Sequence, residues 1–266
     1  MKRSEAFKRH KINILGVNVD DISEVDAVKT VLRLAEAKNK GKFVVTVNSE
    51  FVMMAQRDPE FAQILNDADL ALPDGQWIVN SKLILGGREH DRVSGVDLVE
   101  NLCKLSANKA IRVGFLGGFS SVAKEASKRQ KIMSPKLKVV FSDPGDPSIG
   151  YDLRLKGVFE RIGRVDILFV AYGMGQQEFW IERMKNKLDV GVYIGVGGAF
   201  DYISGVKLRA PKFMQELGFE WLWRLVLDPV RIWRMRVLPL FAILVFWQIL
   251  KNYKKRIFTN NLDNTV

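Results

Sequence analysis

The chain has 266 residues, of which 47% are hydrophobic and 27% charged, and a formal net charge of +11. This composition excludes a disordered protein, and the length allows one large α/β domain with an appendage or two small domains. A single cysteine, Cys103, excludes an internal disulfide, and the two histidines nearly exclude a Cys/His zinc site; both features are typical of a cytosolic protein.

The first predicted element is a strand over residues 12–19. This apolar stretch follows a basic segment, but it is short and runs into Asp20 and Asp21, which is typical of a strand and not of a signal peptide. No other segment approaches the ~20 apolar residues that a membrane-spanning helix requires. The sequence therefore predicts a protein that is not integral to the membrane.

Up to about residue 205, short β-type runs alternate with helical ones, which predicts an α/β fold with a Rossmann-like, largely parallel sheet flanked by helices. The strand candidates are residues 43–47, 71–72, 111–116, 137–141, 165–171 and 190–196. Most are near-continuous runs of Val, Ile, Leu and Phe, as expected for strands covered on both faces. The helix candidates are residues 25–37, 50–68, 76–85, 96–105, 122–133 and 177–188, with a break in the second at Asp58-Pro59.

Several strands end in Gly-rich or polar turns, namely residues 47–50, 73–75, 117–120, 173–175 and 197–201. In open α/β sheets, ligands bind outside the carboxyl ends of the strands, so we expect these turns to form the wall of the site. A glycine turn can hold a phosphate through backbone N–H groups, or it can simply let the chain turn tightly. Neither a dinucleotide fingerprint nor a P-loop is present, which disfavours a dinucleotide fold.

Carboxylates at three places are candidates for chemistry. Asp74 lies between Pro73 and Gly75 at a strand end, where it could act as a general base or only support the turn. Asp97 could serve a site or belong to the first turn of a helix. The D-x-D sequence at residues 67–69 resembles a metal site, but its place at a helix end and its lack of further ligands disfavour that interpretation.

The last fifth of the chain has a different composition. Residues 206–256 contain eleven Lys and Arg residues against three acidic ones, so most of the net positive charge lies there. Residues 237–250 are almost wholly apolar and, as a helix, would be ~21 Å long, too short for a hydrocarbon core of ~30 Å. Flanking tryptophans and basic residues predict a helix lying in the interface of an anionic membrane. The alternative is a helix packed on the domain or on another subunit.

These features predict three parts of the chain. They are an α/β catalytic domain over residues 1–210, a basic, Trp/Arg-rich helical appendage for membrane association over residues 211–256, and a polar tail over residues 257–266.

A series of motifs runs through residues 13–236 in order. They are Thr46-x-Asn48-Ser49-Glu50, Leu65-Asn66-Asp67-Ala68-Asp69-Leu70, Pro73-Asp74-Gly75, Arg92-Val93-Ser94-Gly95-x-Asp97-Leu98, Gly117-Gly118, Gly173-x-x-x-Gln177-Glu178, Gly195-Val196-Gly197-Gly198-x-Phe200-Asp201, Gly205-x-x-x-Arg209-Ala210-Pro211, Gly218-x-Glu220-Trp221-x-x-Arg224, and Pro229-x-Arg231 with Arg234. As a set, they resemble the WecG/TagA/CpsF family, glycosyltransferase family 26.

The resemblance implies an inverting enzyme that transfers a sugar, often N-acetylmannosamine or its uronic acid, from a UDP-sugar to an undecaprenyl-diphosphate-linked sugar. Such reactions belong to cell-surface polysaccharide or teichoic acid synthesis. In this family Asp74 matches the proposed general base, and Thr46 and Asn48 match polar residues beside it. The UDP-sugar is a substrate, and neither a cofactor nor a divalent metal is implied. Gly175 departs from the family, which usually has proline there, and this leaves the donor sugar open.

The resemblance also implies substrate-binding residues. Gln177 matches a motif position near the donor, and three arginines match basic residues whose charge suits a diphosphate. A helix continuing through Pro229 with only a kink would bring these arginines to one face. The full set is Arg92, Asp97, Gly117, Gly118, Gly173, Gln177, Glu178, Gly197, Gly198, Arg224, Arg231 and Arg234.

Three alternatives stay open at this point. Some members of the family resemble glucosyltransferases of exopolysaccharide assembly, and Gly-rich turns are also found in NAD-dependent oxidoreductases, here with a membrane tail. The third alternative is a basic protein without enzymatic activity. Charge concentrated beside an apolar helix favours an anionic membrane over nucleic acid as its partner, so we expect a peripheral protein at the cytoplasmic face of the membrane. A homo-oligomer is one alternative for its assembly.

Overall fold

The computed structural model describes residues 10–38, 40–216, 218–228 and 232–263, apart from the side chains of Glu216, Arg224, Arg234, Met235 and residues 255–263. The strands are β1 (Lys11–Ile14), β2 (Val17–Asp20), β3 (Lys42–Val47), β4 (Leu70–Pro73), β5 (Arg112–Gly117), β6 (Lys138–Asp143), β7 (Val165–Ala171) and β8 (Val190–Gly195). The helices are α1 (Glu24–Glu36), α2 (Ser49–Ala55), α3 (Pro59–Asn66), α4 (Gln76–Ile84), α5 (Gly95–Ser106), α6 (Val122–Met133), α7 (Ile149–Ile162), α8 (Gln176–Met184), α9 (Ala199–Ile203), α10 (Lys212–Glu216), α11 (Glu220–Leu227), α12 (Ile232–Met235) and α13 (Val237–Asp263).

Six strands form one parallel sheet in the order β4-β3-β8-β7-β5-β6, which confirms the predicted α/β fold. Both faces of the sheet are covered. Along β3, for example, Phe43 and Val45 belong to the core on one face and Val44 to the core on the other. Helices α1, α5, α6 and α9 cover one face, and α2, α3, α7, α8 and α13 contribute to the core on the opposite face. The apolar runs in the sequence reflect this double burial.

The break predicted at Asp58-Pro59 is confirmed. Helix α2 ends at Ala55, and α3 begins at Pro59, whose missing N–H is not needed in the first turn of a helix. The side chain of Asp58 accepts the N–H of Phe61 at 3.0 Å and so caps α3.

The first hairpin and helix α7 differ from the prediction, as does α9, which begins within the predicted turn at residues 197–201. Residues 12–19 form the hairpin β1–β2 and not one strand, because Leu15 and Gly16 turn the chain with φ angles of 50° and 88°. This hairpin is a separate two-stranded sheet. Helix α7 was not predicted, since a segment rich in Pro, Gly, Asp and Ser precedes it and the helix buries only Leu155 and Phe159.

Helix α13 has 27 residues, about 40 Å in length, and so extends well beyond the predicted residues 237–250. One face packs on the α/β core through Phe241 and Val245, which are buried. The side chain of Gln248 fixes the register, because its Oε1 accepts Leu15 N at 2.9 Å and its Nε2 donates to Asn13 O at 2.8 Å. None of the helices in the described ranges is both long enough and apolar enough to cross a membrane.

Candidate active site

A cleft of about 390 Å³ opens at the carboxyl ends of β3, β4, β7 and β8. Its walls come from the turns after these strands, as predicted, and from residues that follow α9. Eight predicted site residues line it: Thr46, Asn48, Asp74, Arg92, Gly173, Gln177, Gly197 and Gly198. Within the described part of the chain, the turn after β5 contributes no lining residue.

Asp74 follows β4 directly, and its backbone N–H donates to Val47 O at 2.8 Å, which ties the turn to the end of β3. The next residue, Gly75, has a φ of 91°, a conformation that favours glycine, and it precedes the first residue of α4. Pro73 and Gly75 thus turn the chain so that the half-buried Asp74 lines the cleft. A carboxylate in this position can accept a proton from a hydroxyl group bound in the cleft.

The two polar residues predicted beside Asp74 are tied into the scaffold. Thr46 is buried in β3, and its hydroxyl donates to Gly195 O in β8 at 3.1 Å. Asn48 caps α2, since its Oδ1 accepts the N–H groups of Glu50 and Phe51. Because the cap uses the carbonyl oxygen of Asn48, its NH2 group is the part that can donate to a ligand.

Among the described residues that line the cleft, two are cations, and each faces a lining carboxylate. Arg92 Nη1 lies 2.5 Å from Glu220 Oε2, which joins the loop before α5 to α11. Lys207 Nζ lies 2.7 Å from Asp201 Oδ2. Sequence reasoning did not select Glu220, Asp201 or Lys207. The first two are motif residues whose place in the cleft depends on how the chain folds back, and Lys207 is at no quoted motif position.

Four apolar side chains that the sequence did not indicate also line the cleft. Trp77 of α4, Met174 of the loop after β7, Trp221 of α11 and Leu238 of α13 line it. In the sequence these four residues are apolar positions of helices or turns. Such positions are found both in the walls of clefts and in the buried core, so the sequence does not distinguish the two. The segment beyond residue 211 therefore completes the cleft as well as covering the core.

Asp97 lies outside the lining of the cleft and belongs to a polar cluster at the start of α5. It accepts hydrogen bonds from Ser94 Oγ at 2.5 Å and from Arg209 Nη2 at 2.6 Å. Burial pushes the pKa of Asp97 upward, but the bonds from Arg209 and Ser94 outweigh it and hold the pKa below its ordinary value. Its predicted contact with substrate stays a prediction.

Gly117 and Gly118 also lie away from the lining residues. Gly117 has a φ of 107°, and a side chain there would meet the carbonyl carbon of Ala171 at 2.6 Å. The N–H of Gly118 donates to Ala171 O at 2.9 Å. These glycines allow the end of β5 to approach β7 closely, and their predicted role in binding substrate is untested.

Gln177 and Glu178 lie in the first turn of α8, with exposed fractions of 1% and 0%. Gln177 is among the residues that line the cleft, and Glu178 lies behind it. Burial raises the pKa of Glu178 to about 7, although hydrogen bonds from Gln177 and from the N–H of Gly175 favour its charged form. Glu178 therefore does not reach the cleft surface, and it titrates near neutral pH.

We expect the contribution of Glu178 to stability to fall as the pH rises. A raised pKa means that the folded state binds the proton of Glu178 more tightly than the unfolded state does. The protonated side chain therefore stabilises the fold fully below about pH 4.5, and this stabilisation is lost as the pH rises through about pH 7. The loss amounts to up to about 3 kcal/mol. Urea unfolding of wild type and Glu178→Gln at pH 5 and pH 8 measures it. The advantage of wild type over the variant should shrink at pH 8, and an advantage that is constant or grows would contradict the prediction.

The three predicted arginines lie at the edge of what the structure describes. The backbone of Arg224 is in α11 and that of Arg234 in α12, without their side chains, and Arg231 lies outside the described residues. Helix α11 ends at Leu227, Asp228 is not helical, and α12 begins at Ile232, while the predicted kink at Pro229 lies outside the described residues. A residue that precedes proline is disfavoured in the helical region. The role of these arginines stays a prediction.

The D-x-D sequence at residues 67–69 has a structural use. Asp69 accepts Lys42 Nζ at 2.8 Å and the N–H of Phe43 at 2.9 Å, which holds the start of β3. Asp67 is the last residue of the turn that ends α3. In the described ranges, no group of three or more His, Cys, Asp or Glu side chains is placed to hold a metal ion.

Comparisons of the sequence with known proteins match it to one family. The sequence model of the "Glycosyl transferase WecG/TagA/CpsF family" matches residues 12–255. The N-acetylglucosaminyldiphosphoundecaprenol N-acetyl-beta-D-mannosaminyltransferase of Bacillus spizizenii is 34% identical over 211 residues, covering 78% of this chain and 80% of that protein. The protein of the same name from Staphylococcus aureus is 28% identical over 245 residues, covering 91% and 94%. These names favour neither the glucosyltransferase nor the oxidoreductase alternative. The chain therefore belongs to the WecG/TagA/CpsF family, and it is a glycosyltransferase.

Proposed function

We propose that the chain transfers N-acetylmannosamine from a UDP-sugar to N-acetylglucosaminyl-diphosphoundecaprenol. The names of its relatives support this donor sugar and acceptor. The observation that carries the proposal is the position of Asp74, a carboxylate at the end of β4 inside a cleft that Thr46, Asn48 and Arg92 of the family's motifs also line.

In the proposed reaction, a hydroxyl oxygen of the acceptor sugar attacks the anomeric carbon of the donor. The bond from that carbon to the oxygen of UDP breaks, UDP leaves with the electron pair, and the hydroxyl proton passes to Asp74. One displacement of this kind inverts the anomeric centre. Arg92 and Lys207 lie in the same cleft, where a diphosphate would compete with Glu220 and Asp201 for their charge. Arg224, Arg231 and Arg234 would add to this positive charge.

An acceptor with an undecaprenyl chain is embedded in a membrane, and one face of α13 suits that location. Leu240, Ile243, Phe246 and Trp247 are exposed on the side of α13 away from the core. Basic residues flank them along the chain, at Arg236 and Lys251. Apolar burial combined with attraction to anionic lipid would hold this face at the cytoplasmic surface of the membrane. We therefore propose peripheral binding to an anionic membrane.

Transfer assays with a panel of UDP-sugars and a short-chain lipid-diphosphate acceptor test the function. We expect a disaccharide product with UDP-N-acetylmannosamine and N-acetylglucosaminyl-diphospholipid, and none with the diphospholipid that lacks the sugar. Product from UDP-glucose alone would overturn the assignment of the donor. No product from any UDP-sugar on this acceptor would overturn the proposed function.

Charged substitutions on the exposed face of α13 should weaken membrane binding. Ile243→Glu with Trp247→Glu places two carboxylates one helical turn apart on side chains that are 53% and 63% exposed, so binding to anionic liposomes should fall at least tenfold. Substitution is preferable to deleting α13, since deletion would also remove Phe241 and Val245 from the core.

The matched control is Ile149→Glu with Leu153→Glu on α7, which adds the same charge at side chains that are 73% and 80% exposed. This control should sediment with liposomes like wild type. Equal binding by the α13 variant and wild type would contradict the proposed membrane surface.

A further inference from the structure

Gln177 and Glu178 lie between two glycine loops of the cleft, the loop at residues 173–175 after β7 and the loop at residues 197–198 after β8. Both loops contain residues with positive φ, 84° at Gly173 and 53° at Gly197, so neighbouring contacts have to hold them in place. The side chains of Gln177 and Glu178 are almost fully buried. Gln177 lines the cleft, whereas Glu178 does not.

Hydrogen bonds run in one row from the first loop to the second. The N–H of Gly175 donates to Glu178 Oε2 at 2.7 Å, and Gln177 Nε2 donates to Glu178 Oε1 at 2.6 Å. The N–H of Gly197 donates to Gln177 Oε1 at 2.9 Å. Both carboxylate oxygens of Glu178 and both polar atoms of the Gln177 amide therefore have partners inside the protein.

Strand β8 lies against these hydrogen-bonded side chains and has a glycine where they contact it. A side chain at Gly195, the last residue of β8, would lie 2.8 Å from Gln177 Nε2 and 3.0 Å from Glu178 Oε1. The carbonyl of the same Gly195 accepts the Thr46 hydroxyl. The row is thus packed against the strand that joins it to the Asp74 side of the cleft.

We propose that Gln177 and Glu178 are positioning residues, which set the separation of the two glycine loops and act on sugar transfer through those loops without touching the donor. The proposal rests on the proposed function, because sugar transfer is one of its measurements. It assigns to Gln177 a different task from the contact with the donor that the motif implies.

Exchanging the two residues tests this proposal sharply. In Gln177→Glu with Glu178→Gln, the new glutamine can accept from Gly175 N and donate to the new glutamate, which still accepts from Gly197 N. The three hydrogen bonds of the row are kept, and only the direction of the central one is reversed. Each single substitution instead leaves two donors or two carboxylates facing each other.

The four proteins are compared by thermal unfolding and by kcat for transfer at a temperature where each folded variant is fully folded. We expect each single variant to lose about 10- to 100-fold in kcat. The exchanged protein should recover to within about fivefold of wild type. A pair that only stabilises the fold would leave the kcat of the folded single variants unchanged, and that result would overturn the proposal.

If the Gln177 amide binds the donor, the exchanged protein should be as inactive as Gln177→Glu, which would also overturn the proposal. An exchanged protein no more stable than the less stable single variant, or one that does not fold, counts against it equally. Failure of the proposed function is distinguishable, since it would leave wild type without transfer activity. The melting temperatures would still show whether the exchange restores the row of hydrogen bonds.

Discussion

Replacing Asp74 with asparagine is expected to lower kcat for sugar transfer by about 10²- to 10⁴-fold. The substitution removes the proton acceptor with little change in size, and the backbone bond from Asp74 N to Val47 O is kept. Folding and binding of UDP should therefore stay close to those of wild type. Initial rates with the lipid-linked acceptor, together with UDP binding by calorimetry, measure the two effects separately.

A matched control for Asp74→Asn is Asp146→Asn, which makes the same chemical change at an exposed residue outside the cleft. Its kcat should equal that of wild type. If Asp74→Asn keeps more than about a third of the wild-type kcat, Asp74 only supports the turn, and the base is another residue.

Replacing Asp21 with asparagine should destabilise the protein by about 3–5 kcal/mol. Lys82 is fully buried, and its Nζ lies 2.8 Å from Asp21 Oδ1. Asp21 also accepts the N–H groups of Arg88 and Glu89 at 2.8 and 3.1 Å, which ties the loop after α4 to the end of β2. Burial pushes the pKa of Asp21 upward, but the contacts with Lys82 and these N–H groups outweigh it and lower the pKa. The substitution leaves a buried ammonium without its counter-charge.

Denaturant unfolding at pH 7 measures this loss, and a double variant serves as its control. Asp21→Asn combined with Lys82→Met removes both charges and should be more stable than Asp21→Asn alone. A loss below about 1 kcal/mol for the single variant would mean that water or another group compensates Lys82, contrary to the expectation. Sequence reasoning did not select this pair, because no local pattern relates Asp21, which follows β2, to a lysine in α4.

The sheet was predictable because double burial leaves a direct mark, the continuous apolar runs of β3, β7 and β8. The position of Asp74 was predictable for a related reason, since strand ends and turn residues are local features. The hairpin at residues 12–19 was not, because Leu15 takes a left-handed conformation that its residue type does not signal.

The sequence could not predict which polar side chains of the site are buried. Gln177 and Glu178 follow a glycine loop in the same way as a ligand-binding pair would, and only the packing of β8 shows that they face inward. Lys207 and Glu220 reach the cleft through folding of the segment after α9, which no local spacing encodes.

The two hydrogen bonds that join the Gln248 side chain to Asn13 and Leu15 have a consequence for the order in which the chain folds. They join residues that are 233 and 235 positions apart, so the contact closes a very long loop of the chain. During synthesis the hairpin emerges long before α13 has been made, and the sheet is complete once β8 has emerged, ahead of α13. Until α13 docks, the apolar surface that Phe241 and Val245 cover is open to water. A nascent chain is therefore most prone to association with other chains in the interval between completion of the sheet and arrival of this helix.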